Sequence, residues 1–282
     1  TMVKRSETCA NERNSQNAGL PVRRSGMSTA VTKKKNFSAP VQRIFRWIGK
    51  TVMRYDLLHD GDRIVVGVSG VDSLSMLWLL RERLAWIPIT YTLKAVYIDL
   101  GFDDVQGELI EQYLKDESYD YSIVKTNIGL TAHSEENRKN PCFYCAWQRR
   151  KKLFQICRDS GFNKIALGHH LEDINTTLFV NIIFGGSVST MVPCQKFFGG
   201  EVTIIRPLAL VYKEQLQGLA DYLHLPSVDN PCPSAKISQR KEVEEFLQHF
   251  YRKDPRIRYT VFNALSNVHP EYLPEGMVKG EE

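Results

Sequence analysis

The stretch that decides the fold is residues 64 to 80, IVVGVSGVDSLSMLWLL. A continuous apolar run rich in β-branched residues predicts a buried strand, and the apolar positions after the Ser-Gly break recur at helical spacing. Residues 69 to 73 form the turn between them. At such a turn the main-chain N–H groups and the helix dipole favour an anion, and Gly70 lets that anion approach the main chain. The stretch predicts a phosphate-binding turn, although an ordinary capped strand-to-helix turn would have the same pattern.

The side chains of this turn add to the anion site, because Ser69 and Ser73 supply hydroxyl donors and Asp72 can hold a cation or cap the helix. The turn resembles the Ser-Gly-Gly-x-Asp-Ser loop of the PP-loop ATP pyrophosphatases, which adenylate a substrate and release pyrophosphate. This chain has five residues, Ser69-Gly70-Val71-Asp72-Ser73, where the family pattern has six, so one glycine is missing. We therefore expect weaker ATP binding unless the helix begins at Val71.

Composition and charge restrict the class of protein. The 282 residues are 43% hydrophobic and 24% charged, which is typical of a globular protein with one large α/β domain. No apolar run reaches the roughly 18 residues that a membrane span needs, and the start of the sequence lacks the apolar core of a signal peptide, so we expect a cytoplasmic protein without membrane contact. Residues 1 to 36 hold eight Lys and Arg against two Glu, a net charge of +6 in a chain whose total is +5. This composition predicts a disordered basic tail.

Predicted strands and helices alternate along the middle of the chain. Further strands are expected at 93 to 100, 121 to 126 and 164 to 168, and a hairpin around Gly199-Gly200. The alternation predicts an α/β fold with a doubly wound parallel sheet, of the PP-loop or adenine nucleotide alpha hydrolase-like kind, with helical additions at both ends. Ligands of such sheets bind beyond the carboxyl ends of the strands. We place the basic tail, the PP-loop domain and a C-terminal tail at residues 1 to 40, 41 to 270 and 271 to 282.

Three cysteines are candidate metal ligands. Cys142 and Cys145 have the C-x-x-C spacing that lets two thiolates bind one metal centre. Asn140 and Pro141 predict a helix start there, whose dipole favours thiolate. Cys232, between two prolines, is the candidate third ligand. Three thiolates suit an iron–sulfur cluster with one open iron, while a zinc site, a redox pair or two buried thiols stay possible. The remaining cysteines are not expected to be ligands: Cys9 in the tail, Cys157 in the core and Cys194 in the hairpin.

A polar cluster, Gly168-His169-His170-Leu171-Glu172-Asp173, follows a predicted strand. Two histidines and two carboxylates at a strand-to-helix turn can place a base, a magnesium ligand or a helix cap beside a bound nucleotide. Capping explains the carboxylates equally well, because acidic residues are favourable in a first helical turn. Asp99, at the carboxyl end of the second strand, is a further candidate contact to the nucleotide.

The chain as a whole resembles the tRNA 2-thiocytidine synthetases, PP-loop enzymes that put sulfur on an anticodon-loop cytidine. The shared motifs occur in the family order from about residue 42 to residue 270. They are the loop at 69 to 73, Pro141-Cys142-x-x-Cys145, Gly168-His169-His170-x-x-Asp173, Asn181 with Gly185-Gly186, Arg206-Pro207-Leu208, and Pro231-Cys232. The chain departs from the pattern at Glu172, where Asp is more usual, and lacks the second cysteine that often follows Cys232.

The resemblance implies ATP-dependent thiolation of the cytidine at position 32 of tRNA. Its C2 carbonyl would be adenylated with the help of Mg²⁺, and sulfur would then replace the oxygen. Cys142, Cys145 and Cys232 would ligate a [4Fe-4S] cluster whose fourth iron takes up sulfur. Asp173 matches a catalytic or metal-binding acid, and Arg149 matches a basic position suited to phosphate or developing charge. The implied nucleotide contacts are Ser69, Gly70, Val71, Asp72, Ser73, Asp99, Gly168 and His169.

The resemblance also implies three partners: the tRNA anticodon loop, a sulfur donor such as a cysteine desulfurase, and a second copy in a homodimer. Two basic runs are candidates for tRNA contact, although such runs are more often solvated helix faces. They are Arg149-Arg150-Lys151-Lys152 and Arg252-Lys253 with Arg256 and Arg258.

Two alternative functions stay open. One is a tRNA 2-thiouridine synthetase, although those relatives carry additional cysteine-rich zinc modules and no cysteine follows Cys232 here. The other is a cluster-binding or zinc-binding RNA-associated protein whose ATPase is impaired because the PP-loop is one residue short.

Overall fold

The computed structural model of the chain describes residues 37–102, 105–135, 137, 140–227, 232–235 and 238–273. The predicted tails lie outside these residues except for 37 to 40 and 271 to 273. The chain divides into two compact units, Thr1–His170 with Val192–Lys236 and Leu171–Met191 with Ile237–Glu282.

The first unit contains a six-stranded sheet. Its strands are β1 (Asp62–Val68), β2 (Tyr91–Asp99), β3 (Tyr121–Lys125), β4 (Lys164–Leu167), β5 (Cys194–Phe197) and β6 (Val202–Ile205). The order is β3-β2-β1-β4-β6-β5, and every neighbouring pair is parallel except the antiparallel pair of β5 and β6. The predicted doubly wound sheet and the hairpin are thereby confirmed. The strand order reverses between β1 and β4, so the carboxyl ends of these two strands border the crevice where ligands of such sheets bind.

The α-helices that the described residues of the first unit form connect or flank these strands. They are α1 (Ala39–Tyr55), α2 (Val71–Arg83), α3 (Val105–Asp116), α4 (Ile128–Ala132), α5 (Pro141–Asp159) and α7 (Lys213–Tyr222). Helix α6 (Leu171–Gly185), which precedes α7 in the chain, belongs to the second unit. Helix α1 begins two residues before the predicted domain boundary, and the Phe37 ring already packs against Phe45, Trp78 and Trp86.

The core of the first unit lies on both faces of the sheet, because successive side chains of a strand point to opposite faces. In β1, Ile64 and Val66 belong to one apolar cluster with residues of α1, α2 and α7, whereas Val65 belongs to a second cluster with Leu153 and Cys157 of α5. Cys157 is fully buried, as predicted. Helices on both faces therefore hold the strand ends, and the turn after β1, in place.

The second unit is helical and contains α6, α8 (Gln239–Lys253) and α9 (Ile257–Ala264). Its core is formed by Val243, Leu247 and Tyr251, which are spaced four residues apart on one face of α8. Phe179 of α6 and Ile257 of α9 pack against them. Among the described residues, every helix is too short or too polar to cross a lipid bilayer.

Candidate active site

The turn after β1 is closed by the side chain of Ser73. The Ser73 hydroxyl oxygen accepts hydrogen bonds from the main-chain N–H groups of Ser69, at 2.9 Å, and Gly70, at 3.2 Å, and donates to the Gly70 carbonyl at 2.8 Å. Gly70 is the N-cap residue, and α2 begins at Val71. The helix therefore begins at Val71 in spite of the missing glycine. A helix start at Val71 is the condition under which we expect ATP binding not to be weakened. The first N–H groups of a helix have no partners within it, so those of α2 are suited to a phosphate.

Gly168, at the end of β4, lies directly against this helix start. A Cβ atom at Gly168 would be 2.9 Å from the Cα atom and 3.0 Å from the main-chain nitrogen of Ser73. Real Cβ atoms essentially never approach another atom to less than 3.0 Å, so a side chain here would displace the backbone of α2. Glycine at this position lets the ends of β1 and β4 meet at the reversal point of the sheet.

Two histidines follow Gly168. His170 is 4% exposed, and its Nε2 atom is 3.9 Å from an Asp72 carboxylate oxygen. The Nδ1 atom of His169 accepts a hydrogen bond from Nε of Arg206 at 3.3 Å. At the carboxyl end of β4, His170 is therefore close to the predicted site residue Asp72, and His169 is bound to the guanidinium of Arg206.

Arg206 is a site residue to which sequence reasoning assigned no role. It directly follows β6, is 3% exposed, and donates a hydrogen bond to the Val192 carbonyl as well as to His169. Burial and the nearby Arg150 lower the pKa of Arg206 to about 10, so it is still charged at neutral pH. A buried cation beside a second cation favours an anionic ligand. The position of Arg206 directly after a strand was the feature of the sequence that could have indicated a role in ligand binding.

Asp99 also lies at this edge of the sheet. Its carboxylate accepts a hydrogen bond from the main-chain N–H of Gly101 at 2.8 Å, and its carbonyl accepts one from the Thr126 hydroxyl at 2.6 Å. Gln106 of α3 reaches the turn, where its side-chain amide donates to the Ser69 carbonyl at 3.2 Å. Asp99 therefore stabilises the turn after β2. Its contact with the nucleotide stays a prediction.

The start of α5 presents two of the candidate thiols. The Asn140 side chain accepts hydrogen bonds from the main-chain N–H groups of Cys142, at 2.9 Å, and Phe143, at 3.3 Å, which confirms it as the N-cap. Cys142 is exposed, Cys145 is partly exposed, and both are free thiols. The helix therefore begins where the C-x-x-C motif predicted.

The third thiol, Cys232, lies in the same neighbourhood. The pKa of Cys142 is raised by burial and by charge repulsion from Cys232. Burial also raises the pKa of Cys145, Arg149 lowers it, and both other thiols raise it. Residues about 90 positions apart in the sequence thus interact electrostatically, as the three-ligand prediction requires.

His133 is a second residue that sequence reasoning missed. Its ring nitrogens are hydrogen-bonded to the Gly129 carbonyl and the Ser234 hydroxyl, each at 2.9 Å, and Nε2 lies 4.0 Å from the Cys232 sulfur. Because a carbonyl oxygen only accepts hydrogen bonds, Nδ1 donates to Gly129, and Nε2 faces the Ser234 hydroxyl and the Cys232 sulfur. His133 and Cys232 are 99 residues apart, so no short sequence pattern indicates that they are close in space.

The three thiols are sulfur donors of the kind that an iron–sulfur cluster takes. Within the described part of the chain, no three Cys, His, Asp or Glu side chains surround a position for a single metal ion. A [4Fe-4S] cluster separates its ligand thiolates more widely, since each thiolate binds a different iron. The three free thiols supply three such donors, and because burial raises the pKa of Cys142 and Cys145, binding of a cluster would require their deprotonation.

The carboxylates after His170 belong to the second unit. Asp173 forms an ion pair with Arg240 of α8, which also contacts Glu244 at 3.1 Å. Glu172 forms a buried ion pair at 2.8 Å with Arg258 of α9. Asp173 is thus held by a cation, and the catalytic role expected of it stays a prediction.

The ion pair with Glu172 corrects one sequence prediction. Arg258 was grouped with Arg252, Lys253 and Arg256 as a tRNA-contacting patch, but Arg258 is 3% exposed and paired with a carboxylate. Arg256 is exposed and pairs with Asp254 at 2.9 Å. The prediction was wrong for Arg258, because the sequence does not reveal which face of a short helix is buried.

Comparison with known proteins agrees with this arrangement of motifs. The family model described as PP-loop domain matches residues 41–245. A tRNA-cytidine(32) 2-sulfurtransferase of Citrifermentans bemidjiense is 35% identical over 240 residues, which are 83% of this chain and 94% of the relative. The protein of the same name from Shigella boydii is 33% identical over 86% of this chain and 80% of its own length.

A solved structure is also similar. It is the U34-tRNA thiolase NcsA from Methanococcus maripaludis with its [4Fe-4S] cluster, which has a TM-score of 0.68 and 25% identity. The match covers 83% of this chain and 80% of the thiolase. With a PP-loop domain matched over residues 41–245 and relatives that are 35% and 33% identical over 83% and 86% of this chain, the chain belongs to the tRNA-cytidine(32) 2-sulfurtransferase family of PP-loop proteins.

Proposed function

We propose that this chain is an ATP-dependent tRNA-cytidine(32) 2-sulfurtransferase. Its relatives carry that name, and a similar structure is a tRNA thiolase with a [4Fe-4S] cluster. The observation that carries the proposal is the neighbourhood of Cys142, Cys145 and Cys232 in the unit that contains the phosphate-binding turn. An ATP site and a three-thiol site are the two parts that thiolation of an activated base requires.

In the proposed first step, the C2 oxygen of the cytosine attacks the α-phosphorus of ATP. A bond from oxygen to phosphorus forms, the bond between the α- and β-phosphates breaks, and pyrophosphate leaves. The N–H groups at the start of α2 would bind the phosphates, and the buried charge of Arg206 would stabilise negative charge at the carboxyl edge of the sheet. Asp72, in the phosphate-binding turn, would hold Mg²⁺, which neutralises the departing pyrophosphate. Asp173 would act as the catalytic or metal-binding acid that the family resemblance implies.

In the second step, sulfur at the sulfide level attacks C2, and AMP leaves with the original oxygen. Cys142, Cys145 and Cys232 would hold a [4Fe-4S] cluster, which when bound supplies an iron that carries and positions the sulfur. Arg149 favours the thiolate form of Cys145, and His133 lies beside the Cys232 sulfur. Arg149 would also face the charge that develops on the departing AMP.

Three further components of the proposal rest on the family resemblance. They are a cysteine desulfurase-type sulfur donor, a homodimer and a cytoplasmic location. The proposed substrate, the tRNA anticodon loop, is the kind of single-stranded target whose bases are accessible to a pocket.

The test is to purify the protein without oxygen and supply ATP, Mg²⁺, sulfide and unmodified tRNA. We expect a brown protein that releases AMP and pyrophosphate only when tRNA is present. The Cys142→Ala variant should lose the brown colour and the thiolation activity. The Cys157→Ala variant changes a buried residue of the same helix and should keep both. A brown protein that forms no AMP would contradict the proposal.

One observation favours a second candidate, an RNA-associated protein without ATPase activity. The Ser73 hydroxyl occupies the two main-chain donors of the short turn, at Ser69 and Gly70. If the turn stays closed, phosphate has only the helix start to bind. Brown protein that binds tRNA but forms no AMP would favour this candidate.

A further inference from the structure

An exposed aromatic stripe leads away from the thiols along α5. Phe143 is 63% exposed and Trp147 is 50% exposed. They are four residues apart, so they lie one above the other on the same side of the helix. Exposed Cys142 precedes them at the start of the helix. Large aromatic side chains are rarely left this exposed in adjacent positions without a partner.

Cations continue the stripe. Arg150 and Lys151 follow Trp147 at helical spacing, and both are exposed. The Lys151 ammonium is 5.6 Å from the centre of the Trp147 ring. Arg150 also lies close enough to buried Arg206 to lower the pKa of that guanidinium. A phosphate bound beside Arg150 would relieve this repulsion between like charges.

We propose that Phe143 and Trp147 are a stacking platform for bases of single-stranded RNA, with its phosphates bound at Arg150 and Lys151. Aromatic rings that alternate with cations match the two faces of an unpaired nucleotide, because the base stacks and the phosphate is anionic. The platform places the stacked bases next to the Cys142 thiol. This inference rests on the proposed function and adds the residues that hold the RNA there.

The charge of the stripe favours RNA over a protein surface as the occupant. Two adjacent cations beside the rings complement a polyanion. The centre of a homodimer or sulfur-donor interface would be expected to have fewer charged side chains. The experiment below distinguishes RNA from these two alternative occupants.

The test measures binding of the holoprotein to a fluorescent anticodon stem-loop RNA by anisotropy. Because stacking on an aromatic side chain contributes about 1–3 kcal/mol per base, Trp147→Ala and Phe143→Ala should each weaken binding about 5-fold to 150-fold. Trp147→Phe should restore most of the affinity. The matched control is Tyr222→Ala in α7, whose ring is 57% exposed away from any cation run, and it should bind like the wild type.

Salt dependence separates stacking from charge. Trp147→Ala should leave the slope of log affinity against log salt unchanged, because it removes no phosphate contact. Lys151→Gln should lower that slope by about 1. An RNA of the same length that is fully base-paired should bind the wild type and Trp147→Ala equally well.

Wild-type affinity in both Phe143→Ala and Trp147→Ala would overturn the inference, and it would leave the proposed function intact if those variants still thiolate tRNA. Loss of dimerisation in light scattering, or loss of sulfur transfer from a desulfurase, at unchanged RNA affinity would also overturn it. A wild-type protein that binds no anticodon stem-loop would instead contradict the proposed function.

Discussion

The Ser73 hydroxyl oxygen lies 2.9 Å from the main-chain nitrogen of Ser69 and accepts its hydrogen bond. The same oxygen takes the Gly70 N–H, so one side chain satisfies two donors of the short turn. Ser73 itself is 4% exposed, so the oxygen that accepts both hydrogen bonds belongs to a buried side chain. The stability of the ATP-free turn therefore depends on Ser73.

Ser73→Ala should destabilise the ATP-free protein by about 1–3 kcal/mol, because two N–H groups lose their buried acceptor. ATP should then raise the unfolding temperature of the variant by more than it does in the wild type, since phosphate can replace the lost acceptor. Thermal unfolding with and without ATP measures both effects.

Ser75→Ala is the matched control on the same helix. The Ser75 hydroxyl is fully buried and has no hydrogen-bond partner within the described residues, so its removal should be neutral or stabilising. Equal losses of stability in the two variants would contradict the role given to Ser73.

Gly168→Ala should damage the nucleotide site, because the new Cβ atom would lie 2.9 Å from the Ser73 Cα atom. We expect lower stability and at least tenfold weaker ATP binding, measured by calorimetry. Gly218→Ala in α7 is the control, since a Cβ there meets no atom within 4 Å. It should be stabilising by about 0.5–1 kcal/mol, because alanine favours a helix over glycine. Normal ATP affinity in Gly168→Ala would show that the backbone contact is unimportant.

Inserting a glycine between Gly70 and Val71 restores the length of the family loop. Helix α2 already begins at Val71, with its first N–H groups available for phosphate, so we expect no gain in ATP affinity or in AMP formation. A gain of tenfold or more would show that the short turn is defective. Calorimetry and AMP assays on the two proteins decide between these results.

Arg149→Gln should slow alkylation of Cys145 in metal-free protein at pH 8. The positive charge of Arg149 lowers the pKa of this thiol against the larger effect of burial, so its removal raises the pKa further and leaves less thiolate. The rate at Cys142, whose pKa is not influenced by Arg149, should stay the same. Cys157, whose pKa burial raises to about 11, should stay unreactive. Peptide mass spectrometry follows all three rates, and an equal decrease at Cys142 would contradict the assignment.

Glu172→Gln should destabilise the second unit by about 3–5 kcal/mol, because it leaves the buried Arg258 without its carboxylate. Arg256→Ala removes an exposed ion pair with Asp254 and should have no measurable effect on unfolding by denaturant. Similar midpoints for the two variants would mean that the Glu172 pair does not stabilise the fold.

Sequence patterns predicted the elements that depend on local chemistry. The apolar period revealed β1 and α2, and Asn140-Pro141 gave the start of α5, where the structure has the predicted cap. The five-residue helix α4 was not predicted, because so short a segment has too few positions to show a period.

Features that depend on contacts between distant residues could not be predicted. Arg258 reads as a surface cation until Glu172, 86 residues away, is seen to pair with it inside the second unit. His133 has no motif, and its position beside Cys232 follows from the packing of two loops. The spacing and flanking residues of the cysteines indicated the three thiols, and the structure added His133 beside one of them.

Thiolation of cytidine 32 of tRNA by this chain can be measured by nucleoside mass spectrometry of cellular tRNA. The tRNA would come from cells with the gene for this chain, cells without it, and cells that carry Cys142→Ala. We expect 2-thiocytidine only in the tRNA of cells with the wild-type gene. Unchanged 2-thiocytidine in cells without the gene, or loss of 2-thiouridine in its place, would show that this chain does not thiolate cytidine 32.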